Sequence, residues 1–242
     1  MSPTVLKKIR LATLLSIPVL SHFSVHAEVS VTPATKDTAI ESVATQVLNT
    51  TDERSAQDKA RLMATLSELT YFSADFTQKI FSESEELLQQ GAGTLAISKP
   101  NLVNWQTTEP DETTIVSDGE TLWFYDPFIE QASAYSLAKA IDNTPILLLT
   151  SDEKTLWDNY QVEQKNEQFV ITPLNQESQI KSLSLRFSRN ESSTTQLSEF
   201  SFKDATGQVS QILLSNFNST DAPNAQLFSF SLPQGVRLED KR

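Results

Sequence analysis

A chain of 242 residues with 19 lysines and arginines against 31 aspartates and glutamates has a formal net charge of −12, a poor electrostatic match for nucleic acid or an anionic membrane. It has no cysteine, and both histidines, His22 and His26, fall in the N-terminal leader, so the chain beyond residue 27 has no disulfide, thiol lipidation, Ser-His-Asp triad, Cys-His dyad or usual zinc site. The length and a hydrophobic content of 38% fit one β-rich domain with appendages.

Residues 1–27 read as a cleavable secretory signal. Lys7, Lys8 and Arg10 form the basic start, Leu11 to Leu20 the apolar core, and Val25-His26-Ala27 a small-x-small cleavage site. The apolar run is too short to span a bilayer comfortably, so the expectation is an exported product. Residues 28–57 are polar and free of aromatics and are expected to form a flexible extension, although Ile40, Val43, Val47 and Leu48 recur at helical spacing. The main domain is expected over 58–242. It opens with a helix from about Asp58 to Leu69, with Leu62, Leu66 and Leu69 on one face and Met63 widening it. At Tyr71 the period changes to two: Phe72, Ala74, Phe76, Gln78 and Ile80 share one face of a strand, and Ser73, Asp75, Thr77 and Lys79 the other.

Glu83 to Gln90 reads as an acidic hairpin loop, after which Gly91 and Gly93 open a strand through Ile97, and Pro100 edges it before Val103 and Trp105. Asp118-Gly119, between Thr113 to Val116 and Thr121 to Tyr125, is a strong short-hairpin signal. The four consecutive large residues Leu122, Trp123, Phe124 and Tyr125 send bulk to both faces of a sheet. Each face must then be covered, one by a core and the other by a packed helix or a lined cavity. Alanine-rich Ser133 to Ile141 predicts a short helix, and Pro145 to Leu149, after Asp142-Asn143-Thr144, predicts another. Tyr160 to Gln164, Gln168 to Thr172, Ile180 to Ser188, Leu197 to Lys203, Val209 to Phe217 and Phe228 to Leu232 are β-rich, and their regular spacing predicts an antiparallel meander.

Composition offers two carboxylate pairs for acid–base chemistry of a carbohydrate-active kind, Asp111 with Glu112 and Asp118 with Glu120. Both sit in turns, where aspartate caps its own backbone, and nothing sets two carboxylates across a cleft, so no catalytic residue is assigned. No phosphate loop or metal-ligand spacing occurs, and no metal or cofactor is expected. Trp105, Leu122, Trp123, Phe124, Phe128, Ile129 and Ile146 to Leu149 exceed what one face of a small sheet needs. Each alone is an ordinary core residue. As a group, with short apolar helices among them, they could close the mouth of a curved sheet around an apolar ligand cavity.

The segments FSADFTQK (72–79), KPNLVNW (99–105), EPDE (109–112), VSDGETLWFYDPFIEQA (116–132), NTP (143–145) and PQGV (233–236) together resemble the periplasmic outer-membrane lipoprotein carrier family, LolA, in one register from about Ala56 onward. The resemblance implies a mainly β fold with some α: an incomplete antiparallel β-barrel, or half-barrel, of about 11 strands, capped by a lid of three short helices enclosing a hydrophobic cavity. The helices would be 58–69 and the two within 133–150. It also implies a monomeric, non-enzymatic periplasmic chaperone that takes lipoproteins from an inner-membrane ABC transporter and passes them to an outer-membrane receptor lipoprotein. A lipid-binding sensor or structural domain of the same fold is the alternative.

Under that resemblance Phe72, Phe76, Val103, Trp105, Leu122, Phe124, Phe128, Ile129, Leu147 and Leu148 would line the acyl cavity. Lys99 stands where the family typically carries an arginine that bonds the lid-helix backbone, and its partners by register would be carbonyls near Leu66, Leu149 and Thr150. Lysine keeps the charge and three donors of a latch but lacks the planar fork. Val103 stands where phenylalanine is frequent, which removes some apolar contact near the cavity rim.

Overall fold

The computed structural model describes residues 38–140, 144–151, 153–191 and 193–242. The expected signal lies outside them, as does the Asp142-Asn143 helix stop. The chain divides into two compact units, Met1–Thr45 and Gln46–Arg242, and the sheet belongs to the second.

Among the described residues twelve strands form one sheet that does not close on itself. They are β1 (Tyr71–Phe81), β2 (Leu87–Ser98), β3 (Leu102–Glu109), β4 (Thr113–Asp118), β5 (Thr121–Asp126), β6 (Gln131–Ser136), β7 (Tyr160–Lys165), β8 (Gln168–Pro173), β9 (Ile180–Arg189), β10 (Thr195–Asp204), β11 (Val209–Asn218) and β12 (Arg237–Asp240). Their order is β12-β6-β5-β4-β3-β2-β1-β11-β10-β9-β8-β7, so β1 is central and two antiparallel meanders run outward from it. The expected count of about 11 falls one short, and one pairing departs from the antiparallel pattern: β12 runs parallel to β6.

Alternation on β1 sets the two faces. Phe72, Ala74, Phe76, Gln78 and Ile80 are buried, and Asp75, Thr77 and Lys79 are exposed. Because directly paired residues point the same way, register carries the inner face outward from β1. One row runs Phe72, Ile97, Val103, Ser117, Leu122, and the next Ala74, Leu95, Trp105, Ile115, Phe124. On the other side Gln78 leads to Ile212, Phe200, Leu185 and Phe169.

The outer face beneath Trp123 and Tyr125 is covered by the segment that follows β11. Phe230 stacks on Trp123 at 5.1 Å and tilts against Tyr125 at 5.7 Å, and Asn104 Nδ2 donates to the Leu227 carbonyl at 2.7 Å. Both faces of the Leu122–Tyr125 run are therefore packed. The expected strand at Phe228 to Leu232 is instead a strap: a 3-10 turn (Ala225–Phe228) and extended chain, with Phe228 buried, leading to β12.

Three further boundaries differ from expectation. Gln131–Ser136 is a strand, not a helix, because Ala132 and Ala134 are fully buried opposite Tyr125 and Trp123, and pairing outweighs alanine's helical preference. Strand β2 begins at Leu87, leaving a turn where Ser82 and Glu86 bond each other. Helix α1 (Thr38–Glu68) begins well before Asp58 and is 31 residues long, not short; the helical spacing of Ile40 to Leu48 lies within it. Helices α2 (Leu137–Ala140) and α3 (Pro145–Leu148) are single turns. Proline begins α3 as expected, but Thr144 before it makes no side-chain cap.

Candidate functional site

The inner face is apolar and aromatic at its centre. Trp105 lies 4.4 Å from Phe76 and edge-on to Phe200 at 5.9 Å, with its indole N–H satisfied by Thr107 Oγ1 at 3.2 Å. A bulge at Ser73/Asp75, with Asn216 at φ 51°, brings Phe217 onto Phe72 in a stack at 4.8 Å. Leu62 and Leu66 of α1, Leu69 just past its end, and the run Ile146 to Leu149 are buried as well.

Helix α1 is tied down at two places. At its C-terminal end Lys99 Nζ donates to the Leu66 carbonyl at 2.8 Å, and the Lys99 N–H donates to the Thr70 carbonyl at 2.8 Å. Two residues on, the Asn101 N–H donates to the Thr150 carbonyl at 3.1 Å. The turn between β2 and β3 thus holds the ends of both α1 and α3. Leu149 is buried beside Thr150, whose hydroxyl bonds the Leu147 carbonyl at 2.9 Å.

Further along α1, Asp58 Oδ2 accepts the Gln164 N–H at 2.9 Å, Ser55 Oγ accepts the Val162 N–H at 3.1 Å, and Lys59 Nζ donates to the Trp157 carbonyl at 2.7 Å. Ser55 and Asp58 thereby satisfy outward N–H groups of β7, the last strand of the sheet. Arg54, Gln57, Asp58, Arg61, Gln164 and Asn166 line a groove of about 470 Å³ at this seam, too polar for an acyl chain. Nothing in the spacing of α1 flagged Ser55, Asp58 or Lys59, because their partners are backbone groups more than ninety residues away.

Of the expected cavity residues, Phe72, Phe76, Val103, Trp105, Leu122, Leu147 and Leu148 are buried within the domain, and Phe124 is half-buried. Phe128 and Ile129 are not among them. They sit on the β5–β6 turn, 82% and 58% exposed, because Asp126 Oδ1 accepts both their N–H groups and folds the turn outward. The candidate carboxylates are structural or exposed: Asp111 and Glu112 lie on an open turn, and Asp118 accepts the Glu120 and Thr121 N–H groups and the Trp123 indole. Partial burial works to raise the Asp118 pKa, but these donors outweigh it and hold the carboxyl below its ordinary range. Among the described residues no three metal-binding side chains converge, and no helix is long and apolar enough to cross a membrane.

The family model described as outer membrane lipoprotein carrier protein LolA matches residues 67–231. The chain is similar to the outer-membrane lipoprotein carrier protein of Actinobacillus succinogenes, with 39% identity over 77% of this chain and 88% of that one. It is also similar to the protein of the same name from Pasteurella multocida, with 41% identity over 77% and 89%. Among solved structures, a LolA superfamily protein from Nitrosomonas europaea aligns with a TM-score of 0.41 at 13% identity, covering 69% of this chain and 96% of that one.

Proposed function

Because the chain belongs to the outer membrane lipoprotein carrier family, LolA, we propose that it is a periplasmic carrier. In this reading it accepts lipoproteins released from the inner membrane by an ABC transporter, shelters their acyl chains, and delivers them to an outer-membrane receptor. The observation that carries it is the apolar inner face under a helix held by polar ties. Each acyl methylene removed from water is worth about 0.8 kcal/mol, so an unescorted lipoprotein stays in its membrane or aggregates.

Loading exchanges one set of apolar contacts for another. Leu62 and Leu66, buried in the closed form, lose their cover as α1 lifts, and acyl methylenes gain theirs, so the gross gain is largely offset. Lys99 biases the empty protein toward the closed form, since a charge-assisted hydrogen bond to a sheltered carbonyl is worth roughly 1.5–3 kcal/mol. No covalent step is required. Inner-membrane vesicles carrying a lipoprotein, supplied with transporter and ATP, should yield a soluble complex with this protein. Lipoprotein that remains in the vesicle pellet would overturn the reading.

A further inference from the structure

Gln78 belongs to the same buried row of β1 as Phe76 and Ile80, and is itself only 6% exposed. Its side-chain nitrogen has no hydrogen-bond partner among the described residues. The reason is visible in the register. Across β1 on one side stands Gly91, which offers no side chain, and on the other Ile212, which is fully buried and apolar. Along the strand Phe76 and Ile80 are equally unable to accept a hydrogen bond. An amide donor is thus set into an apolar wall at a position where leucine or methionine would fill similar volume without an unmade bond. Leaving such a donor unpaired is costly, and an unpaired buried donor needs an explanation.

We propose that Gln78 Nε2 is the donor that receives an acyl carbonyl of the cargo, fixing how deep the chains sit on the inner face. The inference rests on the reading of this chain as a lipoprotein carrier. An acyl group is a hydrocarbon chain that ends in a carbonyl, joined onward as an ester or amide. Apolar contacts hold the hydrocarbon but are blind to its position along the wall. One donor among them supplies a registration point, and it gains most where the alternative is an empty low-dielectric site.

The test compares a diester lipid, 1,2-dioctanoylglycerol, with its diether counterpart, 1,2-dioctylglycerol, which keeps the chains and lacks the carbonyls. Binding is followed by calorimetry on the wild-type protein, Gln78→Leu and Gln78→Met. Wild type should prefer the diester roughly three- to tenfold, the range one net hydrogen bond supports. Both variants should bind the two lipids alike and melt no lower than wild type, having lost only an unmade bond. Equal binding of both lipids by wild type, or a preference that survives in Gln78→Met, overturns the donor role and leaves the carrier reading standing. Variants that melt markedly lower while keeping the preference also overturn it, by showing that the amide serves the fold. Binding of neither lipid by wild type overturns the carrier reading, and this inference with it.

Discussion

The sheet is finished by different means beyond β6 and beyond β7. At β6 the exposed backbone is paired by β12, four residues of the same chain in parallel register, with the Arg237 N–H donating to the Glu130 carbonyl and the Lys241 N–H to the Ala134 carbonyl at 2.8 Å each. At β7 no strand is added. Its outward N–H groups are taken by Ser55 and Asp58 of α1, a helix that Lys59 and Lys99 also tie through their side chains. A backbone ladder breaks only by local unfolding, whereas side-chain ties release one at a time. The sheet is thus finished by a backbone ladder at one end and by separable side-chain ties at the other, and the separable ties are the ones made by α1.

Removing β12 tests the firm edge and should have the largest effect. Truncation after Val236 leaves the outer edge of β6 unpaired and takes Arg242 from above the Trp123 ring. If each lost ladder bond contributes about 0.5–1.5 kcal/mol, stability in urea should fall on the order of 3 kcal/mol. The bare edge should also self-associate, visible by light scattering. Unchanged stability would remove the contrast.

Asp58→Ala tests the other edge. It deletes a buried carboxylate acceptor and should cost roughly 1.5–3 kcal/mol. Hydrogen exchange should quicken at Val162 and Gln164 and along α1 while the β6 amides stay protected. Uniform deprotection would mean that α1 is not an independent element. Lys99→Leu acts on the same helix with less effect on stability, because leucine adds apolar surface where the donor is lost. It should accept lipoprotein and pass it poorly to the receptor, whereas Lys99→Arg transfers normally; normal transfer by the leucine variant would refute the latch.

The smallest effect is expected at Asp118, on the firm side. Its folded pKa lies below its unfolded value of about 3.9, so its stabilisation is present above that value and lost as pH falls through the folded one. Asp118→Asn should therefore melt lower than wild type at pH 7, by roughly 0.5–1 kcal/mol for bonds this exposed, and the gap should narrow below about pH 4. A gap constant with pH would show that charge plays no part.

Much of the fold is legible in the residues. The faces of β1, the Asp118-Gly119 hairpin, the leucine face of α1 and proline at the start of α3 are local patterns, and local patterns are what periodicity reads. Phe128 and Ile129 mislead because hydrophobicity alone does not bury a side chain, and an Asx turn at Asp126 decides otherwise. Strand β6 is hidden because alanine carries no β signal until Trp123 and Tyr125 stand beside it. The Lys99–Leu66 bond is foreseen by family resemblance alone, for no spacing rule links a strand-end lysine to a helix carbonyl 33 residues earlier. Alternation puts Gln78 on the correct face, but its lack of a partner is a property of packing in three dimensions.

The central place of β1 has a consequence for how the chain is made. Its neighbour β2 follows at once, but its other neighbour is β11, so that Phe76 waits for Leu214. Closing so long a loop costs entropy before any contact rewards it, and such pairings are slow. A chain delivered N-terminus first carries β1 with one edge bare and Phe72, Phe76 and Ile80 uncovered through most of its emergence. A protein of the lipoprotein carrier family must first survive an interval in which its own central strand is the exposed one.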